Sequence, residues 1–192
     1  GETLRLETRA GLIPLDVDAA AGMYTMTQRP PEFRAWDVPP DEVARWLGLP
    51  PGDVIRCDDV STGVWWHLVQ IASWDAMQRV RPDLTLLGDN DISIFCIGPA
   101  SDADVRVRSF VPGLGIPEDP VTGSSNGCIA ALIAREGLLP ARDGTLTYVA
   151  EQGIEMGQPG RIYLSVDGAP DSISVRVGGQ AITVLQGDLT LP

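Results

Sequence analysis

Residues 128–134 are seven consecutive apolar residues, and they constrain the fold more than any other stretch of this sequence. Seven successive positions cover every face of an α-helix, so a helix formed here has to be buried on all sides. The preceding residues 124–126 are Ser, Ser and Asn, each of which is suited to cap a helix N-terminus. The sequence therefore predicts a buried helix from about Ser125 to Glu136, ended by Gly137.

Most of the remaining chain consists of short alternating segments separated by Gly, Pro and Asp, a pattern typical of strands. Only two further helices are predicted, at Asp41 to Leu47 and from Ser73 to Val80. The last predicted strand covers Ala181 to Leu185. One fully apolar helix among many strands favours an α+β fold. We expect a curled, mostly antiparallel sheet wrapped around a central buried helix.

The composition limits the partners and the compartment. The chain has 192 residues, 44% of them hydrophobic, and a net charge of -12, which argues against nucleic acid and anionic membranes as partners. An anionic small ligand stays possible, because local donors decide its binding. Three widely spaced cysteines without a CxxC pair argue against a disulfide framework and a zinc site and favour the cytoplasm. The sequence shows no apolar run of transmembrane length.

The loop from Asp119 to Asn126 leads into the predicted buried helix and is the main candidate for a binding site. The first N–H groups of a helix lack intrahelical partners and lie at the positive end of its dipole, which suits a carboxylate or phosphate. A phosphate site of the P-loop type would need a lysine where Asn126-Gly127 stands. The alternative is an ordinary capped helix that follows a proline turn.

The segment Glu118-Asp119-Pro120-Val121-Thr122-Gly123-Ser124, preceded by Arg108-Ser109-Phe110, resembles a signature of the PhzF family of phenazine biosynthesis. This family lies within the diaminopimelate-epimerase-like superfamily. Further matching motifs are Glu7-Thr8, Ser61-Thr62-Gly63, Gln152-Gly153, Met156-Gly157 and Gly187-Asp188-Leu189. The resemblance spans nearly the whole chain.

The resemblance implies two similar lobes, each a sheet around a central helix, with the active site between them. Residues 1–20 match the trailing strands of a first lobe, and residues 21–192 match a complete second lobe. The first lobe's catalytic glutamate region and its Gly-His-Pro segment have no counterpart here. His67, the only histidine, lies in a strand of the second lobe and cannot replace that segment. We therefore expect a partner: the missing lobe, a separate chain or a second copy.

The resemblance also implies the roles of particular residues in binding a small carboxylate substrate. The N–H groups of Gly123, Ser124 and Ser125 are expected to bind the carboxylate, aided by the hydroxyls of Thr122 and Ser124. Gly63 is expected to allow a tight turn beside the cleft; a turn without a functional role is the alternative.

Asp119 is the expected catalytic residue, as a substrate-contacting acid that assists and is not the main base. Related epimerases carry a cysteine base in this loop, but Thr122 lies here and Cys128 falls inside the apolar helix as a small core residue. Asn126 stands where the family often has histidine, which puts a proton-carrying role there in doubt. The expected activity is a one-base, cofactor-independent isomerisation of a small amino- or hydroxy-carboxylate, with no metal. The alternative is a non-catalytic binding or interaction module.

Overall fold

The computed structural model describes residues 1–8, 11–98, 101–168, 172–188 and 190, and these form twelve strands and four α-helices. The strands are β1 (Glu2–Thr8), β2 (Gly11–Asp18), β3 (Met23–Thr27), β4 (Glu32–Ala35), β5 (Val54–Ser61), β6 (Trp65–Ile71), β7 (Ile92–Ile97), β8 (Val105–Val111), β9 (Ile116–Asp119), β10 (Thr145–Gln152), β11 (Gly160–Asp167) and β12 (Ser174–Gln180). The helices are α1 (Pro40–Trp46), α2 (Trp74–Arg79), α3 (Leu84–Leu87) and α4 (Gly123–Glu136).

All twelve strands belong to one open sheet in the order β1-β2-β3-β12-β11-β10-β8-β7-β6-β5-β4, with β9 paired to β8 beside this path. The pairs β6–β7 and β8–β10 are parallel, and the other described pairs are antiparallel. The predicted α+β class, with a mostly antiparallel sheet and few helices, is confirmed. The interpretation of this unit as one lobe of a larger fold stays a prediction.

Helix α4 is the buried helix that the apolar run predicted, and its residues 125–133 are all buried. It packs against β5 and β6 and also against β11 and β12. Large side chains such as Ile129 and Leu132 are at most 1% exposed, and burial of each contributes about 1.5–3 kcal/mol. The helix begins at Gly123, two residues before the predicted start, and ends at Gly137, which adopts the left-handed conformation with φ 62°.

Helices α1, α2 and α3 form a second layer and share a separate buried apolar cluster with β5 to β8. In this cluster Leu47 and Met77 pack with Ile94 and Phe110, whereas Leu68 and Phe95 belong to the cluster around α4. The two predicted helices at 41–47 and 73–80 correspond to α1 and α2. The central strands are therefore covered on both faces.

The prediction of a strand from Ala181 to Leu185 is wrong. No strand is found in residues 181–188, and Ile182, Val184 and Leu185 are 85–87% exposed. Alternation gives a segment the side-chain pattern of a strand, but a strand also needs a partner for its backbone groups. β3 pairs instead with β12, which extends to Gln180.

The N-terminal strands extend the sheet beyond β12, which packs against α4. β2 pairs with β3, β1 pairs with β2, and every residue of β1 is exposed. The predicted boundary at residue 20 falls in the turn 19–22 between β2 and β3. The division into two lobes stays a prediction. Across the described residues, none of the helices has the length and apolar character needed to cross a membrane.

Candidate active site

The loop before α4 follows β9. The chain just after β10 and at the start of β11 comes close to it, at Gly153 and Gly160. Ser109 of β8 pairs with Asp119 of β9, which fixes the start of the loop against the sheet. Gly153 has φ 83°, and a Cβ atom there would lie 2.3 Å from the Gln158 carbonyl oxygen and 2.7 Å from that of Pro120. Only glycine fits this position, because the backbone is left-handed and the loop is too close for a side chain.

Asp119 and Thr122 are linked directly at the start of α4. The Thr122 hydroxyl donates to Oδ2 of Asp119 at 2.5 Å, so it does not cap the helix. Because this bond replaces a side-chain cap, the helix begins with its N–H groups uncapped by Thr122. Asp119 is half-buried, so part of it stays open to solvent.

The side chain of Gln152 is hydrogen-bonded to several residues of this turn. Its side chain is fully buried, and its Nε2 donates to the Asp119 carbonyl at 2.7 Å and to the Thr122 hydroxyl at 2.9 Å. Its Oε1 accepts from the Thr122 N–H at 3.2 Å and from Nδ2 of Asn126 at 2.9 Å. Buried polar groups with this many partners rigidify a site, so the turn is fixed before a ligand arrives.

The two acidic residues of the loop have different environments. Glu118 makes a bidentate ion pair with Arg108, with Nε–Oε1 at 2.8 Å and Nη2–Oε2 at 2.9 Å, and both side chains are largely buried. Arg108 thus pairs with an acid of the loop. The Glu118 carboxylate is occupied by this pair, which leaves Asp119 as the acid that can contact a ligand.

The predicted carboxylate-binding residues divide into two groups. Gly123 and Ser124 are half-buried at the start of α4, and the first intrahelical N–H bond of this turn is from Asn126 to the Thr122 carbonyl at 3.2 Å. Ser125 is fully buried, and its hydroxyl lies 3.2 Å from that of Ser109. Ser125 is therefore closed to solvent in this structure, whereas Gly123 and Ser124 are partly open.

A cavity of about 400 Å³ brings Gly63 and Ser124 together. Its wall includes the apolar residues Leu12, Pro14 and Met26 of β2 and β3. The other predicted site residues, which are Asp119, Thr122, Gly123 and Ser125, lie at the start of α4 and are not part of the wall. Gly63 has φ 131°, a conformation that favours glycine, so the turn between β5 and β6 can form the rim.

Hydrogen bonds from neighbouring strands fix the wall of this cavity. Nε1 of Trp66 donates to the Ser124 hydroxyl oxygen at 3.1 Å, the Thr62 hydroxyl donates to Oε1 of Gln28, and Nε2 of Gln28 donates to the Gly123 carbonyl at 3.2 Å. Gln28 was not predicted as a site residue. The available signal was Gly127 in an otherwise apolar helix, because a Cβ atom there would overlap the Gln28 amide.

Cys128 and His67 lie where the sequence analysis predicted them, in the core and in a strand. Cys128 is buried in the core, and burial raises the pKa of its thiol to about 11, so a thiolate is disfavoured there near neutral pH. His67 lies in β6, bonds to Asp59 and stacks on Trp36 with ring centroids 4.3 Å apart. In the described part of the chain, no group of three or more His, Cys, Asp and Glu side chains could hold a metal ion.

Residues 1–187 match the family described as phenazine biosynthesis-like protein, PhzC-PhzF. The chain belongs to this family. An uncharacterized isomerase of Deinococcus radiodurans is 33% identical over 97% of this chain and 65% of its own length. The trans-2,3-dihydro-3-hydroxyanthranilate isomerase of Pseudomonas aeruginosa is 30% identical over 97% of this chain and 66% of its own length.

The crystal structure of a PhzF-family phenazine biosynthesis protein from Bacillus anthracis has the same fold. It superposes with a TM-score of 0.81 at 24% identity and is matched over 98% of this chain and 69% of its own. The chain thus spans about two thirds of the length of these relatives. The relatives named for an activity are isomerases, and the PhzF resemblance found in the sequence is confirmed.

Proposed function

We propose that this chain supplies the carboxylate-binding part of a cofactor-independent isomerase that acts on a small amino- or hydroxy-carboxylate. The observation that carries this proposal is the fixed turn at the start of α4. There Asp119 and Ser124 are held half-exposed beside the first N–H groups of a buried helix. The isomerase names of the relatives support the class of reaction.

The reaction we propose is removal of a proton from a carbon near the substrate carboxylate and its return elsewhere on the molecule. Such a reaction needs a positioned base and fixed donors for the negative charge that develops. The N–H groups of Gly123 and Ser124 supply donors, and Asp119 holds a substrate ammonium group or assists proton transfer. Thr122 does not act as a base, because a hydroxyl is far too weakly acidic and this one donates to Asp119.

The main base comes from outside the residues that form this site. We propose that residues 1–20 are the trailing strands of a first lobe and residues 21–192 a second lobe, and that the first lobe carries the base. The first lobe would be covalently joined, a separate chain or replaced by a second copy. We place the protein in the cytoplasm, where the free thiols of Cys57, Cys96 and Cys128 stay reduced.

The test is deuterium transfer from solvent into substrate. The chain is joined to or mixed with a first lobe of the family, and trans-2,3-dihydro-3-hydroxyanthranilate is the first substrate tried in D₂O. We expect deuterium in the product, and about a hundredfold or larger loss of rate in Asp119→Ala. Asp75→Ala, which changes an exposed residue of α2, is the control and should retain activity. Full activity of Asp119→Ala would show that its catalytic assignment is wrong.

A second function, a non-catalytic binding or interaction module, is favoured by the exposed apolar side chains of the N-terminal strands. Leu4 and Leu6, which share one face of β1, are 41% and 43% exposed. Contiguous exposed apolar surface is characteristic of an interface. Size-exclusion chromatography with light scattering measures the mass of the chain with and without the first lobe. A stable complex that exchanges no deuterium would favour the module over the enzyme.

A further inference from the structure

The cavity beside Ser124 is lined by a positively charged residue, whereas the chain as a whole is acidic. Among the described residues that line the cavity, Arg29 is the only charged one, although the chain as a whole carries a net charge of -12. Arg29 is exposed, so its charge acts with the strength of a surface cation, and none of the described residues of the wall carries a carboxylate that would offset it. The site is therefore electrostatically suited to an anion despite the acidity of the chain.

The guanidinium of Arg29 is also available to bind a ligand. Within the described ranges, its guanidinium makes neither an ion pair nor a hydrogen bond. Several other arginines have a carboxylate partner, for example Arg108 with Glu118 and Arg34 with Asp59. The stem of Arg29 lies across Gly63, since a Cβ atom on that glycine would be 3.5 Å from Cδ of Arg29. This is an ordinary van der Waals distance, so Gly63 is favoured by its φ of 131° and the Arg29 stem packs on it at the cavity rim.

Ser124 supplies a second polar contact in the same cavity. Its hydroxyl oxygen accepts from Nε1 of Trp66 at 3.1 Å, so its own proton is available to donate. The Thr62 hydroxyl, in contrast, is already committed to Gln28. The cavity therefore offers an anion one guanidinium and one hydroxyl donor.

We propose that Arg29 is the ionic anchor of the cavity and selects a monocarboxylate with an apolar body. The carboxylate that the proposed function places at Ser124 then has the Arg29 guanidinium on its cavity side, in addition to the N–H groups at the start of α4. The body of the ligand lies against Leu12, Pro14 and Met26. This inference rests on the proposed function, because it places the substrate of that function in this cavity. It adds a specificity-determining residue that the loop motif does not contain.

The test is binding to the chain itself, with no turnover required. Cyclohexanecarboxylate and its neutral counterpart cyclohexanecarboxamide are titrated into the ¹⁵N-labelled protein and followed by NMR. We expect the carboxylate to bind about tenfold more tightly than the amide, and Arg29→Gln to remove this preference. The Trp66 indole N–H signal should shift on binding, because its acceptor Ser124 contacts the ligand. Arg29→Lys should restore part of the preference.

Arg142→Gln is the matched control, since it also removes one exposed positive charge but lies after α4 and outside the cavity wall. It should bind the carboxylate as the unmodified chain does. Equal carboxylate binding by Arg29→Gln and Arg142→Gln would overturn the role of Arg29, as would equal binding of carboxylate and amide by the unmodified chain. Neither result would decide the proposed function, which depends on deuterium transfer and on Asp119.

Discussion

The loop before α4 and the β1–β2 hairpin differ most clearly in how far their side chains are buried and hydrogen-bonded. Around the loop, Gln152 makes four hydrogen bonds, and Glu118 is locked to Arg108. In the hairpin, β1 is exposed along its whole length and Leu4, Leu6 and Leu12 face solvent. The difference shows that the chain fixes the start of α4 through its own contacts but leaves the apolar side chains of the hairpin exposed.

The largest effect is expected from breaking the buried ion pair behind the loop. Arg108→Leu leaves the Glu118 carboxylate buried without its partner, and we expect a loss of about 3–5 kcal/mol in the free energy of unfolding. Arg176→Leu is the control, because its pair with Asp167 is 41% exposed on each side and should cost less than about 1 kcal/mol. Urea unfolding measures both. Equal losses would mean that the loop is no better fixed than the surface.

The next largest effect is expected at Gly153, where the carbonyl oxygens of Pro120 and Gln158 come close to the backbone. Gly153→Ala places a Cβ atom against two carbonyl oxygens at a left-handed position, and we expect a loss of about 2–3 kcal/mol in unfolding free energy. Gly157→Ala shares the left-handed backbone at φ 69° but meets no atom within 4 Å, so it should cost only about 1 kcal/mol. If the two variants are equally stable, the Pro120 and Gln158 carbonyls do not approach Gly153 as closely as the structure shows.

The start of α4 was predictable from the sequence because its signals are local. The apolar run, the preceding small residues and the loop motif all lie within about twenty residues of one another. The contacts of Gln28 and Gln152 were not predictable, because they join distant parts of the chain: Gln28 bonds to Gly123 across 95 positions. The strand expected at 181–185 failed for the same reason, since pairing depends on a partner elsewhere.

Stability should also depend on pH through the buried thiol of Cys128 in α4. Burial raises the pKa of Cys128 from 9.0 to about 11, so the stability it contributes is fully present below pH 9 and is lost as the pH rises towards 11. Between pH 8 and 10.5 we expect the unmodified chain to lose about 2 kcal/mol more than Cys128→Ala. Urea unfolding at the two pH values measures this. An identical loss in both proteins would place Cys128 in contact with solvent.

The smallest effect on stability is expected in the hairpin. Replacing Leu4 and Leu6 by Asn should change the unfolding free energy by less than about 0.5 kcal/mol, because both side chains are exposed. The same change should weaken association with the first lobe or a second copy, measured by light scattering. Thr3 and Arg5 replaced by Asn, on the opposite face of β1, provide the control. A loss above about 1 kcal/mol would show that the hairpin face is already packed.

The most direct test of the proposed site is the response of the backbone amides of Gly123 and Ser124 to a carboxylate. In ¹⁵N–¹H spectra of the chain titrated with acetate, we expect these two amide protons to shift downfield and saturate. Acetamide, the neutral control, should leave them unchanged. If the two amides do not move with acetate, or exchange with solvent as slowly as the core of α4, the start of this helix does not bind the substrate carboxylate.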